Sequence, residues 1–264
     1  MRRGHPGQRR CRFVALVGHA VGMVEHVEAP ADALDRLVVE AHGSRDVFQA
    51  AGQWIGGRLA SEGFAWIKSR RCWERRCGFR RDRITFASSY KNRVGVGTDV
   101  WPESLQVMDA GLGKWRDANP ELTFVRPDSV HDIVCASNYL DHAAGRSRVD
   151  LMSPSARLEH LVFAVNQLRT IVLPWFASTG DVGRLVETVP DRLLADFGVD
   201  LVEYAVSRDR RDQARQLVER ALALRSPLHA EFELGQDMAR RGERARWHSK
   251  SALGWSSTVL GLLE

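Results

Sequence analysis

The sequence has almost no lysine, few cysteines and no long apolar run. Of its 38 basic residues, 34 are arginine and only 4 are lysine, namely Lys68, Lys91, Lys114 and Lys250. Such an arginine bias, with plentiful alanine, glycine and valine, is typical of GC-rich coding and does not require contacts with phosphate. No run of 18 apolar residues occurs, which excludes a membrane-spanning helix and predicts no membrane partner.

The four cysteines do not form a disulfide framework for a chain of 264 residues. Cys11 lies in an atypical N-terminal segment, and without it an odd number remains, namely Cys72, Cys77 and Cys135. An odd number of cysteines suits a reducing compartment, so the sequence predicts a cytoplasmic protein.

The composition is that of an ordinary globular protein. Hydrophobic residues make up 44% of the chain and charged residues 27%. These fractions exclude a disordered chain, and the length is sufficient to bury a substantial core. The oligomeric state does not follow from the composition.

The net charge of +5 is concentrated in two segments. Residues 1–24 carry +5 and residues 66–83 carry +6, so the rest of the chain sums to −6. The first segment lacks periodicity, and a more regular sequence starts after Met23. We hypothesise that translation begins at Met23. The alternative interpretation is a secretory signal, although His19 interrupts its apolar region.

The central part of the chain alternates apolar and polar residues with the period of a half-buried β-strand. Ile84 and Phe86 lie two residues apart, and Val94, Val96 and Val100 continue the pattern. This alternation predicts an antiparallel sheet with one face toward a core. Strands are predicted at about 64–76, 83–89, 93–101, 105–107, 131–137 and 146–151.

Helical periodicity dominates before and after this region. Helices are predicted at about 32–40 and 45–62, then from residue 158 to Pro174, and in a hairpin that turns at residues 208–210. The order helix, meandering antiparallel sheet, helices predicts an α+β fold. The predicted units are an N-terminal extension (1–30), a helix plus sheet (31–152), a helical half packed on the sheet (153–225) and a weakly helical tail (226–264).

Several short motifs carry a resemblance to a known family. They are Trp73-Glu-Arg, residues 84–92, Trp115-Arg116, residues 171–176 and the hairpin 201–222. Over about residues 48–225 the sequence resembles bacterial proteins of the domain of unknown function 4304 family. The resemblance implies an α+β fold in a bacterial protein. It implies no catalytic residues, because that family has no assigned activity.

Cys72, Cys77, His131 and Cys135 are the best candidate set for a zinc site. Structural zinc ligands usually come as two tight pairs, whereas His131 and Cys135 lie in a predicted strand. The spacing therefore favours cysteines that pack as small apolar residues, and the sequence predicts neither a metal nor another cofactor. His131-Asp132 is similar to a ligand pair of metal-dependent hydrolases, but the additional ligands are missing, so a metal-dependent hydrolase is a distant alternative.

Other catalytic motifs are missing from the sequence. The segment 111–114 lacks the glycine spacing of a phosphate-binding loop, and no Gly-x-Ser-x-Gly motif occurs. Ser88 and Ser89 have no nearby base in sequence, although they are candidates to face a cleft. These observations predict a protein that is not an enzyme.

The basic and aromatic segment 66–83 is the best functional candidate. Arginines beside tryptophan and phenylalanine can bind an acidic partner protein, or can hold a phosphate and stack on a base. The simpler interpretation is a solvated edge hairpin whose charges discourage aggregation.

We predict a protein-interaction or binding module that uses this hairpin and an aromatic groove near Trp175. The alternative is a nucleic-acid-binding protein that uses the same hairpin. The predicted partner-binding residues are Trp73, Arg75, Arg76, Arg80, Arg81, Trp175 and Phe176.

Overall fold

The computed structural model describes residues 31–93, 97–124, 131–139, 142, 148–224, 228–246, 249 and 251–263. The N-terminal extension, with the Met23 hypothesis and Cys11, lies outside the described residues. Two helices come first, α1 (Ala31–Glu40) and α2 (Ser44–Arg58). Both agree with the predicted helices, and α2 buries Phe48, Trp54 and Ile55.

A six-stranded antiparallel sheet follows, which confirms the predicted α+β fold. Its strands run in the order β1-β2-β3-β4-β5, and β6 pairs with the start of β4. The bounds are β1 Ala65–Ile67, β2 Cys72–Cys77, β3 Arg80–Ser88, β4 Asp99–Asp109, β5 Ile133–Asn138 and β6 Val149–Asp150.

Two details of the predicted sheet are corrected. The strand predicted at 64–76 is divided into β1 and β2 by a 3₁₀ turn (Lys68–Arg70). The second correction concerns β4. Two strands were expected around Pro102, at 93–101 and 105–107, but β4 continues through it. Pro102 pairs with Phe86, and the register shifts between Ile84 and Phe86. A bulge is where a sheet tolerates a residue without an N–H donor, so the proline does not end the strand.

The two faces of the sheet differ in chemistry. On the inner face Trp73 lies opposite Ile84, which lies opposite Leu105, and all three side chains are buried. The outer face carries Glu74 opposite Arg83, and next to them the pair Arg76 and Arg81. The alternation seen in the sequence therefore separates an apolar core from a charged surface.

The helical half begins with α3 (Ala110–Ala118), inserted between β4 and β5, and continues after β6. One helical run comprises α4 (Arg157–Gln167), a π-helical turn (Leu168–Val172) and α5 (Leu173–Ser178). The others are α6 Leu185–Thr188, α7 Asp191–Ser207, α8 Arg211–Leu224, α9 Leu228–Arg240 and α10 Ala252–Val259.

The run Arg157–Ser178 is the single helix in the described residues that is long and apolar enough to cross a membrane, with a mean hydropathy of 1.2. Leu161, Leu168, Val172 and Phe176 are completely buried within the protein. Core helices satisfy the same length and composition criterion. The structure is therefore compatible with a soluble protein, and the cytoplasmic location stays a prediction.

The C-terminal tail contains two packed helices. Trp255 and Leu262 are buried, and the Trp255 indole donates a hydrogen bond to the Glu243 carbonyl at 2.9 Å. A small core of Phe124, Ala245, Ala252 and Trp255 lies beneath them. The helices α9 and α10 therefore pack onto the rest of the protein, although the sequence of residues 226–264 has only weak helical periodicity.

A buried ion network joins α3 to α7. Arg116 has no exposed side-chain surface and donates to Glu203 at 2.7 Å and to Asp200 at 2.8 Å. It also donates to the carbonyls of His131 and Ile133. Every edge of the guanidinium is therefore engaged, which is the condition under which a buried charge is tolerated.

Asp200 makes protein stability depend on pH. Burial raises the pKa of its carboxyl to about 6, although the charge of Arg116 opposes the shift. Since the unfolded pKa is about 3.9, the folded state binds this proton more tightly, and the contribution of Asp200 to stability increases as the pH falls from about 7 to about 4. Relative to Asp200→Asn, we expect the wild type to gain roughly 1–2 kcal/mol over that range, after allowance for the partial exposure of the carboxyl.

Urea denaturation of both proteins at several pH values measures this difference. Subtracting the two profiles removes the titration of all other carboxyls. A difference that stays constant with pH would contradict the prediction.

Candidate functional site

The turn between β2 and β3 holds an exposed aromatic ring in a fixed position. Cys77 pairs with Arg80, so Gly78 and Phe79 form a two-residue turn. Gly78 has a φ of 61°, which fits the first central position of a type II′ turn and favours glycine there. The Phe79 carbonyl accepts a hydrogen bond from the Ala110 N–H at 3.0 Å, and the Phe79 side chain is 58% exposed. The turn is thus anchored while its ring faces solvent.

Two cations flank the Phe79 ring. The Lys114 ammonium lies 5.8 Å and the Arg208 guanidinium 5.6 Å from the ring centroid. Arg208 is held by Asp109, whose carboxylate also caps α3 by accepting from the N–H groups of Gly111 and Leu112. These contacts place positive charge beside an exposed aromatic group.

Four arginines on the outer face share the carboxylate of Glu74. Arg76 donates twice to one oxygen at 3.1 Å, and Arg83 donates twice to the other at 3.0 and 3.2 Å. Arg70 reaches the second oxygen at 3.3 Å, and Arg81 approaches it at 3.8 Å. Glu74 is buried beneath these side chains and holds them in a fixed arrangement.

The arginine cluster keeps an excess of positive charge. Arg81 also pairs with Asp132 at 2.8 Å, so four guanidiniums face two carboxylates. Burial by itself would raise the pKa of Glu74, but hydrogen bonds from Arg83 and Arg76 and the neighbouring positive charges outweigh burial and lower it. Glu74 therefore stays ionised near neutral pH, and two positive charges remain uncompensated.

The aromatic residues expected to bind a partner lie in the core. Trp73 is completely buried and donates from its indole N–H to the Gly52 carbonyl at 2.8 Å. Phe176 is completely buried, and Trp175 is 6% exposed. The two rings contact each other with their centroids 5.1 Å apart, so these side chains join layers of the fold, and Trp175 also lines the smaller of two surface clefts.

The four arginines that were predicted to bind a partner divide into two groups. Arg75 pairs with Asp82 at 2.6 Å and lies over the Phe64 ring, while Arg80 pairs with Asp82 at 2.7 Å and donates to the carbonyl of Phe176. These two attach the sheet to the helical half. Arg76 and Arg81 lie on the outer face, and they are the members of the predicted set that remain available to a partner.

The candidate zinc ligands are not brought together. Cys72 and Cys77 are five residues apart on one strand, so their side chains point to opposite faces. Cys72 and Cys135 are buried free thiols, and burial raises the pKa of both. The His131 ring contacts Asp117 at 2.6 Å. Within the described residues no group of three or more His, Cys, Asp or Glu side chains could hold a metal ion.

Two clefts open on other parts of the surface. The larger, of about 1100 Å³, lies between the start of α2, β1 and the end of β3, and Ser88 and Ser89 line it as the sequence allowed. The smaller, of about 400 Å³, contains Ser137 and His142, whose Oγ and Nε2 atoms are 2.6 Å apart, beside Trp175. Sequence reasoning missed the Ser137–His142 contact because neither residue lies in a recognisable motif.

No family model matches this chain, and no curated protein or solved structure matches it either. The resemblance to the domain of unknown function 4304 family therefore stays a prediction. A functional proposal has to come from the surfaces themselves. One of these surfaces combines an exposed aromatic ring with an excess of positive charge. We call it the hairpin-tip surface and define it as Arg70, Arg76, Phe79, Arg81, Arg83 and Lys114.

Proposed function

We propose that this protein is a non-enzymatic interaction module that binds an acidic segment of a partner protein through the hairpin-tip surface. One observation carries the proposal. An exposed phenylalanine is anchored at the turn that joins β2 to β3, and the same two strands carry a cluster in which arginine charge exceeds carboxylate charge.

The chemistry of this surface suits a protein partner. Aromatic residues and arginine are enriched at the energetic centres of interfaces, and an uncompensated positive field attracts an acidic segment. Glu74 restrains Arg76 and Arg83 before binding, so less side-chain entropy is lost when the partner docks.

Nucleic acid is the alternative ligand for the same charges. Strand binding usually combines a basic groove with several stacking platforms. Phe79 is the single exposed ring of the hairpin-tip surface in the part of the chain that the structure describes. This arrangement favours one aromatic anchor in a protein interface over a row of stacked bases.

Photocrosslinking in the source cells tests the proposal. A photoreactive phenylalanine analogue replaces Phe79 in one protein and Phe163, which is 39% exposed on α4, in a matched control. We expect a protein crosslink at position 79 that maps to an acidic segment and that position 163 does not give. Arg76→Ala should reduce its yield about fivefold or more, because it removes an arginine from the interface.

Arg184→Ala is the matched control for the charge change. Arg184 and Arg76 have similarly exposed side chains, 64% and 69%, and each pairs with a glutamate. The control should leave the crosslink unchanged. Crosslinks to nucleic acid, or equal losses in the two arginine variants, would overturn the proposed function.

A further inference from the structure

The larger cleft has walls from four parts of the chain and a distinctive lining. Ser44 and Phe48 come from α2, Trp66 from β1, Lys68 and Ser69 from the following 3₁₀ turn, and Ser89 from the segment after β3. Hydroxyl groups and aromatic rings therefore line one space of about 1100 Å³. This volume accommodates a small ligand with room for solvent.

The charge of this cleft is of one sign. Arg45, Lys68 and Arg71 line it, and within the described residues no aspartate or glutamate lines it. Within the described part of the chain none of these cations has a carboxylate within 4.0 Å, whereas Arg76, Arg81 and Arg83 are all paired. Three cations without counter-ions around a concave surface concentrate anions there.

The backbone at Arg71 is held in an uncommon conformation. Its φ and ψ are both 50°, in the left-handed region that residues with a side chain seldom adopt. A hydrogen bond from the Phe86 N–H to the Arg71 carbonyl, at 2.8 Å, fixes this conformation. The guanidinium consequently lies 5.9 Å from the centroid of the Phe48 ring. The turn thus directs a cation to the aromatic wall of the cleft, and strained backbone of this kind clusters at binding sites.

The aromatic wall also contains unpaired polar atoms. Trp66 packs so closely on α2 that a Cβ added at Gly52 would lie 2.5 Å from its ring. The Trp66 Nε1 donor and the Gln49 Oε1 acceptor are covered and have no hydrogen-bond partner. Buried polar atoms without partners are uncommon in proteins, so this wall is polar as well as aromatic.

We propose that this cleft binds a free nucleotide, with its phosphates on Arg45, Lys68 and Arg71 and its base against the Phe48–Trp66 wall. Several cations without acids suit a polyphosphate chain, and guanidinium hydrogen bonds to phosphate are strong. This site is separate from the hairpin-tip surface and does not depend on the proposed function.

Isothermal titration with ATP, tripolyphosphate and adenosine tests the site on the full chain. We expect ATP to bind more tightly than either fragment. The double variant Lys68→Ala/Arg71→Asn should weaken ATP binding about tenfold or more, since it removes two phosphate contacts. Asparagine is chosen at position 71 because it tolerates the left-handed backbone.

The matched control is the double variant Arg184→Ala/Arg240→Ala, which removes two arginines with side chains 64% and 60% exposed outside the cleft and should leave ATP binding unchanged. Thermal melts of each variant without ligand establish that folding is intact. Equal affinity for tripolyphosphate and ATP, equal losses in both double variants, no measurable ATP binding, or tighter binding of a thymidine oligonucleotide would each overturn the proposal. Crosslinking at Phe79 is unaffected by these outcomes, so the two proposals fail independently.

Discussion

Replacing Arg116 with methionine is expected to lower the free energy of unfolding by about 3–5 kcal/mol. The variant removes the partner of Glu203, a carboxylate with no exposed side-chain surface. Glu203 would keep its hydrogen bonds from the Thr123 hydroxyl and the Phe124 N–H, but no positive charge would remain beside it. An uncompensated buried charge has the largest cost among common substitutions.

Urea denaturation followed by circular dichroism measures this loss. The double variant Arg116→Met/Glu203→Met provides the informative comparison, because removing both charges should recover much of the stability. Arg184→Ala, which breaks an exposed pair with Glu187, should change stability by less than about 0.5 kcal/mol. A loss below about 1 kcal/mol for Arg116→Met would contradict the prediction, because it would show that Glu203 does not depend on Arg116 for compensation of its charge.

Alanine at Gly254 is expected to separate α10 from α9, with a loss of about 3 kcal/mol or more. An added Cβ at Gly254 would lie 1.9 Å from the Phe232 carbonyl oxygen. A glycine of α9 approaches the backbone near α10 equally closely. A Cβ added at Gly235 would lie 2.0 Å from the Ser251 carbonyl oxygen. Both obstacles are backbone atoms, so rotation of a side chain cannot relieve either clash.

Gly198→Ala is the matched control for this substitution. Gly198 lies in α7, and an added Cβ there would meet a Leu253 methyl group at 3.8 Å, an ordinary contact. We expect Gly198→Ala to be neutral or slightly stabilising, because alanine loses less backbone entropy on folding. Tryptophan fluorescence should shift to longer wavelength in Gly254→Ala as Trp255 becomes exposed. An unshifted spectrum with normal stability would contradict the close helix crossing.

The fold class and most elements could be predicted from local patterns. Alternation at Ile84 and Phe86 indicates a strand, and helical spacing between Leu161 and Leu168 indicates a helix, because both periods follow from backbone geometry. The helical content of the tail was underestimated, because α9 and α10 are stabilised mainly by each other and by the small core around Trp255. The close approach of these helices depends on single glycines, Gly235 and Gly254, which leave no periodic signal.

The residues of the candidate site were harder to predict from the sequence than the fold. The sequence does not distinguish the four arginines of β2 and β3 that were predicted to bind a partner. Alternation along the strands places Arg75 and Arg80 on the inner face. It places Arg76 and Arg81 on the outer face. The inward pair meets Asp82, which could have been anticipated once the register was known. Phe79 was missed because its importance comes from an anchored turn and from Lys114, a residue 35 positions away.

The sequence by itself determined the strand and helix periods, the glycine turn at Gly78 and the arginine excess of residues 66–83. Only the tertiary structure decided which arginines attach the sheet to the helical half and which lie on the outer face. It also assembled the cleft from Phe48 of α2, Trp66 of β1 and Arg71, which follows the 3₁₀ turn. The physical reason is that backbone periodicity is set by neighbouring residues, whereas burial and charge pairing depend on side chains brought together from distant parts of the chain.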